Sequence, residues 1–302
     1  MQSLPLRAVA CGNSSQDRYM KITVASGKGG TGKSMVAANL ALSLSGSEPV
    51  TLVDCDVEEP NLHLFFPEDR PAVSPVSVLV PGVDPDRCSF CGECARFCAF
   101  GALVVAMDRV LFFPEHCRSC GGCATACPAG AIAETARTIG TITERSIVQG
   151  LRLFTGTLNE GEVLAVKVIR EVKDMAGKEG WIIFDSSPGT SCTVVETLEG
   201  SDFCILVTES TPFGLHDLAL AYEVTSRMGI PSGVVINRSD GKDKAARHFC
   251  DEKQIPVLTI IPFEKRIASI QGSGDLIARR DPVWKERFCD LARACRSFVE
   301  GV

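Results

Sequence analysis

Apolar and polar positions along the chain alternate between two periods. Ile22, Thr23, Val24 and Ala25 form a short run suited to a buried strand, and the small-residue stretch Ser34 to Ser45 then reads as a helix. Val50 to Val53 is a second strand, and a short helix is expected at Asn61 to Phe66. Pro67, Pro71, Pro75, Pro81 and Pro85 then interrupt regular structure, which marks a domain border. Beyond a Gly- and Thr-rich stretch a helix is predicted at Glu162 to Ala176. Trp181 to Phe184, Phe203 to Val207, Val234 to Ile236 and Val257 to Ile260 suit buried parallel strands. Helices are predicted between and after them at Val194 to Glu199, Leu215 to Met228, Lys242 to Lys253 and Pro282 to Val302. Alternating strands and helices predict a doubly wound α/β fold with a mostly parallel sheet. The domain reading is a loose leader over 1–19, a sheet domain from 20–80 and 137–302, and an inserted α+β unit over 81–136. Met20, just before the first strand, is an alternative start to Met1.

Composition narrows the function classes. Of 302 residues, 45% are hydrophobic and 23% charged, which supports a soluble globular core, and the net charge of -6 provides no broad basic field for nucleic acid. No apolar run reaches the ~18 residues of a membrane span, and no secretory signal is evident. The fifteen cysteines are not spaced as a disulfide framework, so a reducing, cytoplasmic setting is expected.

Gly27-Lys28-Gly29-Gly30-Thr31-Gly32-Lys33-Ser34 satisfies the phosphate-loop pattern in its strand-to-helix context. Backbone N–H groups of Gly29, Gly30, Thr31 and Gly32 would face phosphate oxygens, Lys33 would neutralise the β/γ-phosphates, and Ser34 would ligate Mg²⁺. ATP and Mg²⁺ are the expected ligands.

Eight cysteines form two runs. Cys88, Cys91, Cys94 and Cys98 have the spacing C-x2-C-x2-C-x3-C, and Cys117, Cys120, Cys123 and Cys127 repeat it, followed by Pro128. This is the ligand spacing of two [4Fe–4S] clusters, in which the fourth cysteine of each run serves the other cluster. Cluster 1 would take Cys88, Cys91, Cys94 and Cys127, and cluster 2 Cys117, Cys120, Cys123 and Cys98. Ala99 stands where the pattern has proline. Tetrahedral zinc is the alternative for C-x2-C pairs, but it leaves the x2–x3 tail of each run unexplained. Four-thiolate clusters would make the holoprotein more acidic than its formal charge. The remaining Cys11, Cys55, Cys192, Cys204, Cys250, Cys289 and Cys295 read mostly as core thiols. Cys192, at a helix start, is expected to be buried there or else to sense nucleotide. His116, beside Cys117, reads as a surface loop residue.

Lys28 in Gly27-Lys28-Gly29-Gly30 resembles the signature lysine of the MinD/ParA/Mrp ATPases, whose deviant Walker A motif is shared by the nitrogenase iron protein class. Asp54-Cys55-Asp56 is similar to that family's D-x-D element, and Phe184-Asp185-Ser186-Ser187-Pro188-Gly189-Thr190 to its Walker B and switch II. Asn237-Arg238 resembles its adenine-reading segment. The order of motifs resembles MinD-superfamily ATPases with an inserted ferredoxin domain, including those of orange-protein-type complexes. The resemblance implies a homodimer with ATP sandwiched, Lys28 reaching the partner's nucleotide. Asp56 would act on the attacking water, Asp54 and Asp185 in the Mg²⁺ shell, and Gly189 as a γ-phosphate sensor. It further implies ATP hydrolysis coupled to electron delivery to, or metal-cofactor assembly on, a partner protein. Cluster transfer and MinD-like positioning with redox-sensing clusters are the alternatives. MinD-like proteins end in a membrane-binding helix, but Trp284, Phe288, Leu291, Cys295 and Phe298 are read here as core packing, so membrane contact is not expected.

Overall fold

The computed structural model describes residues 19–67 and 71–301; the leader and Cys11 therefore lie outside it, apart from Tyr19. The chain runs β1 (Met20–Ala25), α1 (Lys33–Leu44), β2 (Val50–Asp54), a 3-10 turn (Leu62–Phe65) and β3 (Ala72–Val83). Next come α2 (Glu93–Phe97), β4 (Leu103–Ala106), β5 (Arg109–Phe112), a second 3-10 turn (Pro114–His116), α3 (Gly122–Thr125), β6 (Ile132–Val148) and β7 (Leu151–Leu158). Then follow α4 (Ala165–Met175), β8 (Trp181–Asp185), α5 (Cys192–Leu198), β9 (Phe203–Glu209), α6 (Pro212–Arg227), β10 (Ser232–Ser239), α7 (Lys244–Lys253) and β11 (Val257–Pro262). The chain closes with α8 (Lys265–Gly272), α9 (Ile277–Arg280) and α10 (Pro282–Glu300).

One nine-stranded sheet has the order β11-β10-β9-β1-β8-β2-β7-β6-β3. The strands from β11 to β7 are parallel, and β6 and β3 complete the sheet through antiparallel ladders. Central strands such as β2 and β8 are buried at every position, as continuous apolar runs demand when both faces are covered. On one face, α1 places Val36, Ala37, Ala38, Leu40 and Ala41 in the core and packs against α10. Trp284, Phe288, Leu291 and Cys295 of α10 are buried there, as expected for a packing helix, while Phe298 is exposed. Among the described residues no helix is long and apolar enough to cross a membrane.

The proline-rich stretch departs from expectation. Instead of broken chain it is β3, a twelve-residue strand containing Pro75 and Pro81. It lies at the sheet edge, where a residue without an N–H forfeits no ladder bond on the open side. The Gly- and Thr-rich stretch is likewise not irregular: it forms β6 and β7. Their Thr, Arg and Glu residues obscure the apolar period, because β6 is half-exposed over much of its length. Gly140 and Gly156 are required there, since a Cβ on Gly140 would lie 2.3 Å from the Thr157 carbonyl oxygen and one on Gly156 2.8 Å from Val57.

The β3–β6 ladder continues to the pair Val83–Ile132, and the cysteine segment hangs between those residues. Gly140 pairs with Leu158 at the carboxyl end of β7, so β6 towards Ile132 projects beyond the carboxyl edge of the parallel sheet. That edge also carries the phosphate loop.

Candidate functional site

The loop after β1 lies where parallel strands deliver their carboxyl ends. Gly32 has φ 91°, and a Cβ there would stand 2.2 Å from Asn237 Nδ2, so only glycine fits. Lys33 is 7% exposed; its Nζ lies 3.0 Å from Asp185 Oδ1 and 3.5 Å from Ser34 Oγ. Burial alone would lower the Lys33 pKa, but the carboxylates of Asp185, Asp56 and Asp54 outweigh it and raise it. Asp185 Oδ2 and Thr31 Oγ1 are buried without partners among the described residues. Such orphans at a phosphate loop are the atoms that a nucleotide and its Mg²⁺ would satisfy.

Asp54 is fully buried, and both its oxygens are engaged. Oδ2 accepts from the Asn61 and Leu62 N–H groups at 3.0 and 2.9 Å, and Oδ1 from the Asp56 N–H at 3.2 Å. Its carboxylate thus shapes the loop carrying Asp56. Burial, reinforced by Asp185, pushes the Asp54 pKa up to about 8. Burial also lifts Asp56 to about 6, against the pull of Lys33. Asp56 is half-buried and enters no ion pair among the described residues.

The Gly189 N–H donates to the Ser26 carbonyl at 2.9 Å, and Ser26 Oγ donates to the Lys28 carbonyl at 2.8 Å. The switch-like segment after β8 is thereby tied to the phosphate loop. Lys28 itself is half-buried, and its side chain makes no ion pair among the described residues. Asn237 is buried with both ends of its amide engaged: Nδ2 donates to the Thr31 carbonyl at 2.7 Å, and Oδ1 accepts the Arg238 N–H at 2.9 Å. Arg238 takes φ 52° and pairs with Glu209 at 2.7 Å. In this geometry Asn237 braces the phosphate loop.

The eight clustered cysteines sort into two cavities. Cys88, Cys91, Cys94 and Cys127 line one, and Cys98, Cys117, Cys120 and Cys123 line the other. Each group thus takes its fourth cysteine from the other run. Equivalent positions twenty-nine residues apart repeat in conformation: φ is 53° at Phe90 and 54° at Ser119, and 80° at Gly92 and 71° at Gly121. Backbone N–H groups point at sulfur throughout. Phe90 donates to Cys88 at 3.4 Å and Ala131 to Cys127 at 3.3 Å, while Ser119 donates to Cys117 at 3.4 Å and Ala102 to Cys98 at 3.3 Å. Among the described residues no three or more His, Cys, Asp or Glu side chains gather around a point that could hold a single metal ion. The thiols line cavity walls instead. His116 is exposed beside them. Cys55, Cys204, Cys250, Cys289 and Cys295 are buried as expected. Cys192 is exposed, because α5 begins at the protein surface, which removes the reading of it as a core thiol.

The CobQ/CobB/MinD/ParA nucleotide binding domain family matches residues 22–277. The chain belongs to this family. It is similar to the uncharacterised protein MJ0579 of Methanocaldococcus jannaschii, with 32% identity over 260 residues, covering 85% of this chain and 90% of that one. Among solved structures it resembles the cell division ATPase MinD of Pyrococcus furiosus at TM-score 0.56 and 20% identity, covering 92% of this chain and 99% of that one. It also resembles the septum site-determining protein MinD of Pyrococcus horikoshii complexed with Mg-ADP, at TM-score 0.56 and 20% identity, covering 91% and 94%. The sheet domain is a MinD/ParA-family ATPase domain.

Two features of this MinD/ParA-family site escape motif reading. Thr155, midway along β7, pairs in register with Asp54, and its buried Oγ1 has no partner among the described residues. Helix α4 clamps α5: Arg170 grips the Glu196 carboxylate at 2.7 and 2.9 Å, and Lys173 Nζ donates to the carbonyls of Glu196, Thr197 and Glu199 at 2.5, 2.9 and 2.8 Å. Neither residue belongs to a motif. Only the i, i+3 pairing of two cations on α4 hints at a shared target.

Proposed function

We propose that this chain couples Mg²⁺-dependent ATP hydrolysis to redox chemistry at two resident [4Fe–4S] clusters, serving electron delivery to, or metal-cofactor assembly on, a partner protein. One observation carries the reading. The two four-thiol cavities hang from β3 and β6 beyond the same sheet edge that bears the phosphate loop.

In hydrolysis, water attacks the γ-phosphorus and the bond to the ADP oxygen breaks, releasing phosphate. Lys33 neutralises the phosphate charge after exchanging Asp185 for it. Ser34 and Asp185 would hold Mg²⁺, which offsets charge on the phosphate oxygens; that Pyrococcus horikoshii MinD was complexed with Mg-ADP supports Mg²⁺ and nucleotide as the ligands. Asp54 has its oxygens committed to the 56–62 loop, so its part in the metal shell is to orient that loop and Asp56. Asp56, ionised above its pKa of about 6, orients the attacking water. Lys28 would reach the nucleotide of a second copy across an ATP-sandwiched homodimer. Asn237 keeps one N–H and one lone pair of its amide with which to read adenine.

The thiol sites suit the clusters on chemical grounds: four sulfurs per cavity, an exchanged fourth ligand and N–H donors to sulfur. Bound there, clusters supply one-electron storage. The unit over 81–136 would be the ferredoxin-like domain, and its interlocked ligands favour resident over transferred clusters.

Anaerobically reconstituted protein should contain about eight irons and eight sulfides per chain, as two four-iron clusters require. Its ATPase rate should differ between oxidised and reduced clusters, and its EPR signals should respond to MgATP. Two clusters with neither response would refute the coupling.

A further inference from the structure

We propose that Asp243 is a positioning residue for nucleotide selection: through Ser210 and Ser239 its carboxylate locks the turn at Arg238 that orients the Asn237 amide for adenine and against guanine. This rests on the reading of Asn237 as the residue that meets the base.

Asp243 stands directly before α7, where an aspartate ordinarily accepts from backbone N–H groups of the first helical turn. Its side chain makes no such bond. The residue is buried, 6% exposed, and both carboxylate oxygens serve hydroxyls outside the helix. Oδ1 accepts from Ser210 Oγ, just past β9, and Oδ2 accepts from Ser239 Oγ, at the end of β10, at 2.6 Å. A buried carboxylate is costly without donors, and hydrogen bonds to a charged acceptor are strong, so the three residues hold one another in place.

These serines adjoin the base-reading segment. Ser210 follows Glu209, which pairs in register with Asn237 across the β9–β10 ladder, and Ser239 follows Arg238. Arg238 has φ 52°, a left-handed backbone that a Cβ disfavours, so it persists only where its neighbours hold it. The ion pair from Arg238 to Glu209 is half-exposed on the arginine side and holds weakly. Ser239 is held better. Asp243 takes its hydroxyl, and its carbonyl accepts the Phe263 N–H at 2.8 Å.

The Arg238 N–H in turn donates to Asn237 Oδ1 at 2.9 Å, while Asn237 Nδ2 donates to the Thr31 carbonyl at 2.7 Å. The amide is thus fixed at both ends, with one lone pair and one N–H left for a ligand. Adenine carries an N–H donor at the ring position where guanine carries an acceptor oxygen. Held as it is, Oδ1 accepts from adenine and repels guanine. An amide free to turn over would present its N–H there and admit guanine. Releasing Ser239 lets Arg238 leave the left-handed region, and the anchor on Oδ1 goes with it.

Steady-state hydrolysis of MgATP and MgGTP by the full chain tests this. Asp243→Ala should raise the KM for ATP roughly tenfold with kcat within about twofold, and should lower the ATP-over-GTP ratio of kcat/KM roughly tenfold, the effect of one misplaced hydrogen bond. Asp243→Asn keeps the volume and can still bond both serines, so it should recover most of that ratio. If Asp243→Ala fails to fold, Ser239→Ala carries the comparison and should lower the ratio in the same direction. A KM that rises equally for both nucleotides, an unchanged ratio, or no recovery in Asp243→Asn would overturn the positioning role. Asn237→Ala separates the proposal from its basis, because it should abolish the preference for ATP. A preference that survives Asn237→Ala would mean that Asn237 does not meet the base, and the underlying reading would fail instead.

Discussion

Lys33 and Asp185 are the residue pair on which the nucleotide site turns. Their 3.0 Å contact is buried, so removing one partner strands the other charge. Lys33→Ala should abolish hydrolysis and lower stability by about 3–5 kcal/mol, measured by urea unfolding. Asp54 makes an opposite kind of prediction. Its pKa rises from 3.8 to about 8 on folding, so the native state binds the extra proton between those values. Stability from this group is full below pH 3.8 and is lost as pH rises through about 8. The urea midpoint should therefore fall across that window, and Asp54→Asn should flatten the fall. Asp56 acts through its ionised form, so ATPase activity should rise through about pH 6, and that limb should vanish in Asp56→Asn. The motif residues were legible in the sequence, because each needs a particular residue type at a particular spacing. The two engagements of Asn237 were not. They depend on β10 bringing residue 237 against a loop more than two hundred positions earlier.

At the scale of elements, α4 links the two halves of the carboxyl edge. Its Val168, Ile169 and Val172 pack with β6 and β7, and its Arg170 and Lys173 hold α5, which follows the switch-like segment. Lys173 also sits over the Phe184 ring, 5.1 Å from its centroid. Lys173→Met keeps the packing but withdraws the donor from three carbonyls at the end of α5, at a cost of about 1–3 kcal/mol. Hydrogen exchange should then accelerate over residues 192–199 more than over α4 itself. Strands with pure apolar runs were readable because burial on both faces imposes one composition. β3 and β6 were not, since an edge strand tolerates proline and a half-exposed one tolerates Thr, Arg and Glu.

At the scale of the molecule, the sheet domain is continuous in space although the chain leaves it between Val83 and Ile132. Those residues form the last pair of an antiparallel ladder, so replacing 84–131 by a two-residue Asn-Gly turn suits the flanking strands. The shortened chain should keep ATP binding and helical circular dichroism while losing iron binding. A small stability loss is expected, because Ala102 and Cys117 pack against Val78 and Val80 in the same core cluster. Loss of folding would mean that the cysteine unit is needed by the sheet.

The chain's local patterns determined the phosphate loop, the doubly wound class and the eight cysteines, since backbone geometry and ligand spacing act over a few residues. Only tertiary structure decided that the cysteine unit stands beyond the sheet edge that bears the phosphate loop. It also decided that Asp54 holds a loop and that Asn237 braces another. Each of these outcomes depends on which distant strands meet, and burial and electrostatic coupling have no value until they do.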